Sequence, residues 1–67
     1  MEKLIPTLNI INSTVEPVMF TVMDDVLIIP RSKNSVEAYD EIQDLLHDSD
    51  ITYIWHENKI IINPELN

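Results

Sequence analysis

Ser35-Val36-Glu37-Ala38-Tyr39-Asp40-Glu41-Ile42-Gln43-Asp44-Leu45-Leu46-His47-Asp48 is the stretch that decides how this chain is read. From Val36 to His47 the apolar residues Ala38, Tyr39, Ile42, Leu45 and Leu46 recur at three- and four-residue intervals, which puts them on one face of an α-helix. Asn34 with Glu37 makes a capping-box pattern at its start, and Ser35 competes for the cap. Asp48-Ser49-Asp50 ends the helix without the usual glycine. Opposite the apolar stripe, Glu37, Asp40, Glu41, Asp44 and Asp48 fall within a sector of about 100° and span about 16 Å at ~1.5 Å per residue.

Working outward, Ile51 to His56 and Lys59 to Asn63 read as two strands, closed by Pro64. Glu57-Asn58 is the turn between them, with Asn58 suited to a left-handed conformation. On the other side, Val26-Leu27-Ile28-Ile29 is a strand ended by Pro30, and Val18-Met19-Phe20-Thr21-Val22 is a second. Met23-Asp24-Asp25 turns one into the other. Thr7 to Asn12 is apolar and β-branched and reads as a short strand, followed by a loop at Ser13 to Pro17. No internal repeat is visible. The predicted fold is α+β, a β-ββ-α-ββ order in one domain over residues 1–67. It has a mainly antiparallel sheet with one amphipathic helix packed on one face.

These strands do not alternate apolar and polar residues as a half-exposed sheet should. Ile28 and Ile29 point to opposite faces; so do Ile54 and Trp55, and Ile60 and Ile61. Both faces of the sheet are therefore apolar, and one helix covers one of them. The other must be covered by the N-terminal segment, a second copy or a target.

Composition narrows the function. At 67 residues the chain buries only about 60% of its unfolded surface, and with no Cys it has neither disulfides nor a cysteine zinc site to add stability. Twelve acidic residues against four Lys and Arg give a formal charge of −8, which excludes direct nucleic-acid binding as the main reading, argues against an anionic membrane surface, and favours basic partners or simply solubility. No signal peptide and no apolar run of the ~20 residues of a membrane span is present, so a cytoplasmic protein is expected, and the Asn12-Ser13-Thr14 sequon is read as chance. The absence of Gly, frequent Ile and Asn, and single Ala and Arg fit AT-rich coding DNA, as in a low-GC bacterium or its phages.

No catalytic constellation emerges. There is no nucleophilic Cys, Gly-rich phosphate loop or ordered Ser-His-Asp set, and neither a metal nor another cofactor is expected. His47 near Asp44 and Asp48 reads as a surface histidine, because one helix face rarely makes a cation cage. Asp24-Asp25 reads first as a turn. Tyr53 and Trp55 share a strand face, as core beneath the helix or as an exposed aromatic anchor.

The expected function is binding. Between Lys33 and Lys59 there is no basic residue, and like charges at i, i+4 repel by a few tenths of a kcal/mol, as do acids near a helix C-terminus. A helix that keeps such a row is expected to use it. Glu37, Asp40, Glu41, Asp44 and Asp48, extended by Asp50, Asp24 and Asp25 and with Tyr53 as the aromatic anchor, are the expected partner-binding residues. The row is spaced like backbone phosphates. It suggests a small phage- or mobile-element-type inhibitor that mimics nucleic acid and blocks a basic surface of a host nucleic-acid-handling protein. The segment Asp24-Asp25-Val26-Leu27-Ile28-Ile29-Pro30 resembles the acid, apolar strand, proline segment of the phage uracil-DNA glycosylase inhibitor family. It covers seven of 67 residues, and no family site residue maps onto this chain. The alternative is a structural or regulatory homodimer, or a small subunit of a larger assembly.

Overall fold

The computed structural model of the protein describes residues 2–66. A 3-10 turn at Glu2–Leu4 runs into helix α1 (Ile5–Asn12). Strands β1 (Thr21–Met23) and β2 (Val26–Pro30) follow, then a 3-10 turn at Arg31–Lys33 and helix α2 (Val36–Asp48). Strands β3 (Ile54–His56) and β4 (Lys59–Ile62) lead to a last 3-10 turn at Pro64–Leu66. The protein is an α+β domain with a four-stranded antiparallel sheet, ordered β1-β2-β4-β3, and two helices.

The N-terminal segment corrects the expected order. Thr7–Asn12 is not a strand but part of α1. Its β-branched content is outweighed by period: Leu4, Leu8 and Ile11 stand at helical spacing, and Pro6 sits in the first turn, where a missing N–H leaves no bond unmade. The strand expected at Val18–Val22 is shorter and later, at Thr21–Met23. Its approach is held by a side chain instead: Asn34 Oδ1 accepts from Met19 N–H at 2.7 Å, and Asn34 Nδ2 donates to the carbonyls of Met19 and Pro30 at 3.1 and 2.7 Å. Asn34 is thereby removed from the helix cap, and Ser35 Oγ accepts the Ala38 N–H at 3.1 Å.

The register reveals a symmetry that the sequence conceals. Ile28 pairs with Ile61 at the centre of the sheet, flanked by Leu27–Ile62 and Ile29–Ile60. Turning the sheet about an axis through that central pair carries β1–β2 onto β3–β4, and each hairpin is preceded in the chain by a helix, α1 and α2. Ten of the eleven buried residues among those described follow this symmetry, Ala38 being the exception. Leu4, Thr7, Ile11, Leu27 and Ile29 in the first half correspond to Tyr39, Ile42, Leu46, Ile60 and Ile62 in the second, and all ten are buried. Each αββ half contributes the same positions to one core, between the sheet and the two helices.

Backbone geometry explains how a chain without glycine makes its sharp turns. Asp24 and Asp25 (φ 52° and 62°) and Glu57 and Asn58 (51° and 61°) are all left-handed, as two-residue type I′ hairpins require. Asp50 (φ 57°) is left-handed just past α2, where the Asp50 and Ile51 N–H groups donate to the carbonyls of His47 and Leu46. That is a Schellman ending with Asp in the place of Gly. Three of these five residues are Asp, whose short side chain tolerates the conformation better than most.

Candidate functional site

Two surfaces stand out, one on each side of the molecule. The first is the outer side of α2. Ala38, Tyr39, Ile42 and Leu46 point into the core, while Leu45, expected with them, is only half-buried at the flank. Glu37, Asp40, Asp44 and Asp48 are exposed. The ion pairs among the described residues are Lys3–Glu65 at 3.1 Å and His56–Glu57 at 3.7 Å, so none of these four acids has a cation partner. Glu41 differs. It is half-buried, and both its oxygens lie 3.1–3.2 Å from the Val15 N–H, which ties the long loop after α1 to the helix. Four members of the expected row therefore face solvent, and one holds a loop.

The remaining expected residues are dispersed. Asp24 and Asp25 are exposed in the β1–β2 turn, at the end of the sheet toward which α2 runs. Asp50 sits in the helix ending, where its conformation is already a structural duty. Tyr53 is half-buried and packs against the core. Trp55 is the most exposed aromatic among the described residues, at 59%, with Phe20 at 38%. It lies opposite Ile60 on the helix side of edge strand β3, and its Nε1 donates to the buried Tyr39 hydroxyl at 2.7 Å. That bond anchors the ring's polar edge and leaves much of its surface open.

The second surface is the side of the sheet turned away from the helices. Leu27, Ile29, Ile60 and Ile62 alternate inward, so Val26, Ile28 and Ile61 point outward, with Thr21 and Met23 on β1 and Ile54 on β3. The N-terminal segment does not cover this face, because α1 packs beside α2 on the other side. Ile54 is 43% exposed and Met23 59%. At one end the face finishes in Pro30, Lys59 and His56, which lie across from one another. No outward-facing strand residue is acidic, in a chain with twelve acids. Sequence parity identified the problem of a second apolar face. Which residues compose it required the register.

The described residues also form a shallow depression of about 260 Å³, lined by Glu2, Lys3, Leu4, Asp25, Pro64 and Glu65. The Lys3–Glu65 ion pair crosses it. Among the described residues no three His, Cys, Asp or Glu side chains gather as metal ligands, and no helix is long and apolar enough to cross a membrane. Comparison with protein-family models, with curated proteins and with solved structures finds no match for this chain.

Proposed function

We propose that the protein is a non-catalytic binding module that lays the outer side of α2 on a basic surface of a nucleic-acid-handling protein, as a small inhibitor of the phage or mobile-element type acting in the cytoplasm. One observation carries this reading. The first-half segment Glu2–Asn12, which supplies Leu4, Thr7 and Ile11 to the core, carries one acid and one base, Glu2 and Lys3, whereas α2, which supplies Tyr39, Ile42 and Leu46, contains five carboxylates and no Lys or Arg. The scaffold function of a helix here is thus met without a row of acids. The α2 acids, repelling one another and in part opposing the helix dipole, add nothing that α1 needs.

Their arrangement in a row suits the target. The four solvent-facing carboxylates, Glu37, Asp40, Asp44 and Asp48, stand about 5.5 Å apart at ~1.5 Å per residue, against one phosphate per ~3.4 Å of a DNA strand. A groove that accepts a strand meets a sparser line of the same charge. Long-range attraction to it speeds encounter and is screened beyond about 10 Å at 0.1 M salt.

The test replaces Glu37, Asp40, Asp44 and Asp48 by Gln or Asn and spares Glu41, which holds Val15. Parent and variant are immobilised and offered the bacterial proteins that elute from DNA–cellulose. The parent should retain a partner that DNA competes away and that salt releases; the variant should not. Equal retention by both at low salt removes α2 from the mechanism.

A further inference from the structure

We propose that the open face of the sheet is a two-fold interface with a second copy of this chain, stacked face to face with the strands of the two copies antiparallel. The argument starts from charge. A protein of net charge −8 repels itself at most approaches. The outward strand positions Thr21, Met23, Val26, Ile28, Ile54 and Ile61 are the exception, apolar or neutral, with Lys59 and His56 the ionisable groups among the strand residues of this face. A basic partner would find no counter-charge on it. A second copy meets the least repulsion here.

Orientation follows from the two ends. Lys59 and His56 lie at the end of the sheet beside Pro30, where Glu57 stands 3.7 Å from His56 and Lys59 is the cation of the strand residues left over. The Asp24-Asp25 turn lies at the opposite end, beyond Met23 and Val26. A two-fold axis lying in the interface, across the strands, sets each Lys59 over the partner's end that carries the Asp24-Asp25 turn, and Ile28 and Ile61 over their own counterparts. An axis along the strands instead sets the Asp24-Asp25 end, and the Lys59 end, each on its own counterpart. The stack leaves both α2 surfaces on the outside, so it is independent of the role proposed for them.

Sedimentation across micromolar concentrations tests the state, and a short bis-maleimide linking introduced cysteines across the ~10 Å between stacked sheets tests the arrangement, in a chain that has no cysteine of its own. The expected mass is twice 7.8 kDa. Ile61→Lys, and separately Ile54→Lys at the exposed edge, should weaken the dimer by at least about tenfold, as loss of an interface anchor does, with the circular dichroism spectrum retained. Ile61→Cys should cross-link to itself. Lys59→Cys should cross-link to Asn63→Cys in a mixture and poorly to itself. A monomer throughout the range, a dimer untouched by the folded Ile54→Lys variant, or ready self-cross-linking of Lys59→Cys overturns the proposal.

Discussion

The two αββ halves share a backbone plan and diverge in what they place on it. In the second half Ile42 fills the middle of the core; its counterpart is Thr7, buried but polar. Helix α2 has a side-chain cap at Ser35 and a Schellman ending, whereas α1 has no side-chain cap at its start and closes on the Ser13 and Thr14 hydroxyls, which donate to the carbonyls of Ile10 and Ile11. The turn of one hairpin is Asp24-Asp25, that of the other Glu57-Asn58. The carboxylate row belongs to one helix alone. What repeats is the set of buried positions that one shared core demands, because packing tolerates few alternatives there. What does not repeat is free of that demand, and this is where a specific role can be written.

The comparison is most easily broken in the core. Ile42→Ala should cost roughly 2–5 kcal/mol, the range for a buried aliphatic residue cut to Ala. In a domain this small that loss approaches the whole stability, so the variant should be largely unfolded by circular dichroism. Thr7→Ala, at the equivalent place, removes one methyl and one hydroxyl and should cost nearer 1 kcal/mol. Equal losses in urea titrations would show that the two halves do not share the core as described.

A smaller effect concerns the helix starts. Ser35→Ala should cost about 1 kcal/mol by leaving the Ala38 N–H without its acceptor. Because α1 has no such cap to lose, its amides should exchange with deuterium before those of α2 in the parent, and Ser35→Ala should narrow that gap. Slower exchange in α1 than in α2 would contradict the assignment of the second half as the better-secured one.

The smallest effect separates the two turns, and it has the opposite sign. Glu57 is left-handed with no local advantage from its long side chain, so Glu57→Gly should stabilise by about 0.5–1 kcal/mol, the strain relieved less the entropy glycine adds to the unfolded chain. Asp24→Gly should gain less, since Asp tolerates the same conformation. Thermal melts of the two variants side by side check the ranking.

Much of the second half was legible because its signals are local. The α2 period, its polar flank and the turn at Glu57-Asn58 need only neighbours in sequence. So did the fact that Ile28 and Ile29, or Ile60 and Ile61, address opposite faces. The first half was harder, since Thr7–Asn12 is short and β-branched and its helical spacing is completed by Leu4, which lies outside that segment. Leu45 and Leu46 are adjacent apolar residues on the same flank; only the position of the sheet decides that Leu46 is core.

By itself, then, the chain determines an acidic α+β domain with a row of carboxylates on one helix and more apolar sheet surface than one helix can cover. These follow from composition and from periods of 2.0 and 3.6 residues, which every stretch of chain carries within itself. Tertiary structure alone decided that the N-terminal segment is a second helix and that both helices share one face of the sheet. It also set Ile28 against Ile61 at a centre of internal symmetry. Each of those is a choice among pairings of distant segments, resolved by which arrangement buries all ten core positions at once, and no local pattern encodes a sum taken over the whole molecule.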